Sequence, residues 1–223
     1  MKKIAVILCG SGYLDGSEIR ESVATLYALS RQGADVRCFA LNENQAHVVN
    51  ALTGEESPKE ERNQLVEAAR IARGKISPLE ALQAQDWDAL ILPGGFGAAK
   101  NLCNYAFKGS DGSVHPKVHR TLQDFFAAKK PIGAICIAPI IVAMAFPKQG
   151  FELTLGASAT DGNDAARDAE TLGHRHVACS AKQFHVDAKN KLVTSPAYMH
   201  DSAPLHEIFE GIEGLVKSVI QLA

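Results

Sequence analysis

Apolar residues along this chain come in two kinds of stretch, short unbroken runs and runs with helical spacing. Lys3 to Cys9 carries Ile4, Ala5, Val6, Ile7 and Leu8 without a polar break, as a strand buried on both faces does. The glycine-rich segment Gly10 to Gly16 ends it. Ile19, Val23, Leu26 and Leu29 then recur at helical spacing, with Ser17 suited to the N-cap and Gly33 to the stop. Asp35 to Leu41 returns to a strand pattern. This β-loop-α-β opening predicts a parallel sheet with right-handed crossovers.

The polar stretch 42–82 predicts a helix over Lys59 to Arg73. Asp88 to Pro93 reads as a third buried strand that ends at Gly94, Gly95 and Gly97. A helix over His115 to Lys129, a strand over Pro131 to Cys136 and a helix over Ile137 to Phe146 follow. Gly150 to Gly156 has strand character. Phe184 to Ser195 reads as a β-hairpin turning at Lys189 and Asn190, and Ser202 to Leu222 as a closing amphipathic helix. With no repeat, linker or low-complexity tract, residues 1–223 read as one α/β domain with a hairpin insertion.

Composition narrows the class. The 223 residues carry a net charge of −2 with no run of five like charges, which argues against a nucleic-acid or anionic-membrane binder. The longest uncharged apolar run, Ile132 to Phe146, is too short to span a bilayer and contains Gly133 and Pro139. Met1 to Lys3 followed by six apolar residues is too short for a secretory signal. The five cysteines are odd in number, widely spaced and without a C-x-x-C, a pattern of reduced thiols that leads us to expect a cytoplasmic protein.

Candidate chemistry concentrates at Gly133 to Pro139. A buried strand arrives, the chain turns and a helix leaves, so Cys136 stands at the carboxyl end of the sheet. A helix N-terminus beside the sulfur favours thiolate; burial in the core is the commoner role of a cysteine. Gly94 to Gly97 would let backbone N–H groups approach a ligand, and one of them with that of Ile137 would form an oxyanion hole; an ordinary glycine turn is the alternative. Glu18 and Glu21, three apart, put carboxyl groups on the first helical turn at the same sheet end, although acids there also match the helix dipole. Gly10-Ser11-Gly12 lacks the dinucleotide-loop spacing. His115 and His119 have i, i+4 metal spacing but no third ligand nearby in sequence, so no metal is expected. His174 and His176 read as half-exposed strand residues. Cys9 lies at the same sheet end as Cys136, with core packing as its simpler role.

Taken together, Tyr13 to Glu21, Leu52 to Glu55, Asn63 to Gly74, Leu92 to Asn101, Cys136 to Pro139 and Val193 to Met199 resemble the PfpI superfamily, most closely its ElbB branch of glyoxalase or isoprenoid-biosynthesis-linked proteins. The resemblance covers nearly the whole chain. It implies a three-layer αβα sandwich with a mostly parallel sheet, flavodoxin-like, of the class I glutamine amidotransferase type, with a β-hairpin near the C-terminus. It implies a nucleophilic Cys136 touched by a glutamate twelve residues before the helix-ending glycine. Counted from Gly33 that is Glu21, with Glu18 as a second candidate. Gly95 and Ile137 correspond to oxyanion donors, with Gly94 beside them. Ile137 stands where many members have histidine, which counts against peptide hydrolysis.

The activity implied is a glutathione-independent glyoxalase, turning glyoxal into glycolate with no metal or organic cofactor, on a small aldehyde substrate, in a homodimer. For that chemistry Glu21 should be neutral and Cys136 ionised at pH 7, because two anions in contact raise each other's pKa. Two alternatives stand beside it. One is a redox or stress sensor whose Cys136 is oxidised without turnover. The other is a class I glutaminase, with His185 (in His185-Val186-Asp187) or His200 completing a triad.

Overall fold

A computed structural model describes all 223 residues. Nine strands form in chain order: β1 (Lys3–Leu8), β2 (Asp35–Ala40), β3 (Ile76–Pro78), β4 (Ala89–Leu92), β5 (Ile132–Ile135), β6 (Glu152–Leu153), β7 (Arg175–His176), β8 (His185–Asp187) and β9 (Leu192–Ser195). Eight α-helices accompany them: α1 (Ile19–Arg31), α2 (Gln64–Ile71), α3 (Phe96–Asn101), α4 (Tyr105–Lys108), α5 (Pro116–Ala127), α6 (Ala138–Ala145), α7 (Asp164–Thr171) and α8 (Leu205–Leu222).

The main sheet runs β3-β2-β1-β4-β5-β9-β8. Every pairing in it is parallel except the last, where β8 returns antiparallel to β9. This is the mostly parallel, flavodoxin-like sheet flanked by helices that the motifs implied. The long apolar runs are the central strands, and β1, β4 and β5 are almost wholly buried because helices cover both faces. Helices α1 and α8 pack together on one side, α5 and α6 on the other. The chain moves outward from β1 to β2 and β3, then returns across β1 to β4. The carboxyl ends of β1 and β4 therefore flank a topological switch point, where sheets of this kind hold their ligands.

Several local expectations shift. Helix α2 begins at Gln64 rather than Lys59, because Asn63 caps it: the Asn63 side chain accepts from the N–H groups of Leu65 (2.9 Å) and Val66 (3.1 Å). Asn63→Ala should cost about 1 kcal/mol in urea unfolding; no change would show the cap to be redundant. Glu18, not Ser17, caps α1, and the Ser17 hydroxyl instead accepts from the Cys9 N–H at 2.9 Å. The strand expected over 150–156 shrinks to β6, which pairs with β7 in a separate two-stranded sheet. His174 is buried, not half-exposed: it stacks on Phe151 at 5.3 Å, accepts from the Phe151 N–H and bonds the Ala143 carbonyl. Strand β3 and helices α3 and α7 had no clear pattern of their own, being only three, six and eight residues long.

Candidate active site

Strand β5 delivers Cys136 at a tight elbow. Its backbone is left-handed, with φ of +60°, a conformation costly for a residue with a side chain. The Cys136 N–H donates to the Ser195 carbonyl at 2.8 Å, tying the elbow to the end of β9. Ile137 caps α6 and Pro139 lies in its first turn. The N–H groups of Ile137 and Gly95 face the sulfur, from α6 and from the loop after β4. Cys136 keeps 7% exposure and lines a cavity of about 720 Å³, so the residue is buried at the cavity wall.

Glu21 reaches the same sulfur from α1 and is fully buried. Its Oε2 accepts from the Gly94 N–H at 3.0 Å and its Oε1 from the Tyr198 N–H at 3.2 Å. The Glu18 N–H donates to the Gly94 carbonyl at 3.0 Å, so the start of α1 and the end of β4 hold each other in both directions. Glu18 itself lines the cavity, and its Oε2 accepts from the Glu21 N–H at 2.6 Å. Of the two acids, Glu21 meets the sulfur and Glu18 caps the helix. Gly94, expected among the oxyanion donors, is corrected: its N–H is committed to Glu21. Gly95 and Ile137 keep theirs directed at the Cys136 sulfur. Gly95 has a φ of +102°, and a Cβ there would run into the backbone of Gly16 and Ser17.

Burial pushes the Glu21 carboxyl up to about 8, and the charge of Glu18 adds to the rise. The N–H groups of Tyr198 and Gly94 oppose it. Glu21 is therefore protonated at neutral pH. Cys136 is raised as well, first by burial and then by Glu21, against the lowering effect of the Gly95 and Ile137 N–H groups. This corrects the expectation of a thiol ionised at rest: loss of hydration outweighs the helix terminus. The two groups face each other, so the first proton to leave belongs to the pair. Burial raises the thiol further than the carboxyl, so once a proton has left, the Cys136 thiol donates to the Glu21 carboxylate.

The other candidates stand apart. Cys9 is fully buried against Ser17, its thiol pushed up to about 12. Neither His185 nor His200 lines the cavity: His185 Nε2 meets Glu152 at 3.1 Å and His200 Nε2 meets the Cys179 carbonyl at 2.7 Å. His115 pairs with Glu43 and His119 with the Ala145 carbonyl, and no group of three metal-ligating side chains forms around them. Tyr198 had no signal as a site residue. It follows Ala197, whose φ is +41°, and it both supports Glu21 through its N–H and accepts from Arg20 Nη1 at 2.9 Å through its hydroxyl. Only the pairing of β9 with β5 reveals that this segment lies beside Cys136.

Comparison with known proteins assigns the family. The family model described as DJ-1/PfpI family matches residues 2–202. The chain belongs to the DJ-1/PfpI family. Within it, the chain is similar to the rat ES1 protein homolog, mitochondrial, at 46% identity over 99% of this chain and 84% of the relative. It is also similar to the human glutamine amidotransferase-like class 1 domain-containing protein 3, mitochondrial, at 44% identity over 99% and 83%. Among solved structures, an Ehrlichia chaffeensis isoprenoid biosynthesis protein with amidotransferase-like domain superposes with a TM-score of 0.90 at 36% identity, covering 100% of this chain and 99% of that one. This supports the ElbB-like resemblance within the DJ-1/PfpI family. The cytoplasmic placement is corrected, because the rat, human and zebrafish relatives are named as mitochondrial proteins. Unpaired cysteines report a reducing compartment without saying which one. No helix is long and apolar enough to cross a membrane.

Proposed function

We propose that this DJ-1/PfpI family member is a cofactor-independent glyoxalase that converts α-oxoaldehydes to hydroxyacids, with glyoxal to glycolate as the simplest case. The observation that carries the reading is the fully buried Glu21 against the sulfur of Cys136, its carboxyl pushed up by burial. In this mechanism the Glu21 carboxylate of the ionised pair takes the thiol proton as the sulfur attacks the aldehyde carbon, forming an S–C bond. The Glu21 proton passes to the new alkoxide, giving a hemithioacetal and leaving Glu21 as a carboxylate. That carboxylate takes the proton from the hemithioacetal carbon, and the electron pair forms an enediol with the neighbouring carbonyl. After the Glu21 carboxyl exchanges with solvent, delivery of its proton to that neighbouring carbon gives a hydroxyacyl thioester. Water then releases the acid and restores the thiol. One carbon is oxidised and its neighbour reduced, so no external oxidant is required. The N–H groups of Gly95 and Ile137 stabilise the oxyanion at each addition.

A glutaminase lacks support in this site, because the cavity around Cys136 has no histidine in its wall. Family members are commonly dimers, and we propose a homodimer of a single PfpI-like domain spanning residues 1–223.

The test is incubation of the wild type and Cys136→Ala with glyoxal in D₂O, and separately with glutamine. The wild type should release glycolate carrying carbon-bound deuterium, the variant none, and neither should release ammonia. Ammonia from the wild type, or equal glycolate from both proteins, would overturn the assignment. Glycolate without deuterium would replace the Glu21 shuttle by a direct hydride shift.

A further inference from the structure

The cavity over Cys136 is far larger than a two-carbon dialdehyde. Glyoxal has four heavy atoms, and even at the ~30 Å³ a water takes up in the liquid it fills at most about a sixth of the space. The walls are mainly apolar: Tyr13, Ile19, Phe96, Ile137 and Met199 line them. Tyr13, Ile19 and Phe96 remain 50%, 46% and 46% exposed, so the chamber holds hydrophobic surface that a ligand would cover. Its charged groups do not call for an anion. Arg20 is the one basic residue in the lining, its guanidinium bonds the Tyr198 hydroxyl, and Glu18 and Asp201 line the same space. The reactive sulfur sits beside Gly95 and Ile137 in the same chamber, so a carbonyl placed there would direct the rest of its molecule along the Ile19 and Phe96 walls.

We propose that the substrate is a neutral α-oxoaldehyde carried on an aromatic or branched aliphatic body, the cavity volume lying within the range of small-molecule sites. This rests on the glyoxalase reading and adds its substrate class. The chemistry is unchanged: the sulfur adds to the terminal aldehyde, the ketone carbon receives the transferred proton, and water releases an aryl or alkyl hydroxyacid. Apolar contact with Ile19 and Phe96 supplies binding that glyoxal cannot use.

The experiment compares kcat/KM of the full chain for glyoxal, methylglyoxal and phenylglyoxal, measuring glycolate, lactate and mandelate over a Cys136→Ala background. Phenylglyoxal should exceed glyoxal by at least tenfold. Ile19→Ala and Phe96→Ala, both at exposed positions, should each lower the phenylglyoxal-to-glyoxal ratio at least fivefold. A wild-type ratio at or below one, or a ratio unmoved by both substitutions, overturns the proposal. If no aldehyde is turned over, the glyoxalase reading itself fails, and the cavity is judged by protection of Cys136 from iodoacetamide. Mandelamide should then protect at a tenfold lower concentration than glycolamide; equal protection overturns the fit to an apolar body.

Discussion

Glu21→Gln is expected to lower kcat for α-oxoaldehyde turnover by about 10²–10⁴-fold, the usual contribution of a positioned acid and base. The amide keeps the shape of the side chain, and its oxygen can still accept one of the two N–H bonds now made by Gly94 and Tyr198. It cannot take a proton from carbon and return it. The thiol should behave oppositely. Glu21 raises the Cys136 pKa, and the Gly95 and Ile137 N–H groups that lower it remain in the variant. Alkylation of Cys136 by iodoacetamide at pH 7 should therefore be as fast as in the wild type or faster. Turnover retained within threefold would remove Glu21 from the chemistry. Turnover and alkylation falling together would instead mean that the site had distorted.

The same substitution should leave a pH signature in stability. The carboxyl of Glu21 titrates at about 8 in the folded chain against an ordinary 4.5. Between those values the native state binds more protons than the unfolded state, so stability falls as pH rises. The stabilising contribution of the protonated form is complete below about pH 4.5 and lost once pH passes about 8. Glu21→Gln removes the titration. Its stability relative to the wild type should climb by up to about 1.4 kcal/mol per pH unit between pH 5 and 8, measured by urea unfolding. A difference that stays flat over this range would mean that Glu21 is not held neutral by its surroundings.

What could be read from residues alone follows the range of the forces involved. The strands β1, β4 and β5 were legible because burial on both faces writes unbroken apolar runs. Cys136 was legible because a strand, a sharp turn and Pro139 are neighbours in the chain. The preference for Glu21 over Glu18 came from family spacing, since the local helical pattern serves both. The commitment of the Gly94 N–H was hidden, because its partner lies 73 residues away. The same holds for Tyr198, 177 residues from the carboxyl it supports. The protonation of Cys136 was misjudged for a related reason. The helix terminus is visible in sequence, whereas the desolvation that outweighs it exists only once α1, β4 and the Tyr198 turn have closed around the sulfur.

That closure leaves no room at Gly94 for a single added carbon. A Cβ on Gly94 would stand 2.5 Å from Cys136 Cβ, 2.7 Å from the Ile135 carbonyl oxygen and 2.9 Å from Glu21 Oε2. None of these is the free end of an exposed side chain: two belong to the strained elbow and its strand, and the third is a carboxyl fixed by two N–H bonds. Relief requires moving α1 away from β4, which breaks the mutual bonds of Gly94 with Glu18 and Glu21. Gly94→Ala should cost about 3 kcal/mol or more in unfolding free energy, at the upper end of overpacking substitutions. Gly74→Ala is the matched control. Its φ is +76° but nothing lies within 4 Å of the added carbon, so backbone strain alone should cost only about 1–2 kcal/mol. The folded fraction of Gly94→Ala should also lose turnover, since Glu21 and Cys136 can no longer share a proton in their native arrangement. Gly94→Ala as stable and active as Gly74→Ala would show that the sulfur and carboxyl have slack between them, and the close acid–thiol pair on which the proposed chemistry depends would have to be abandoned.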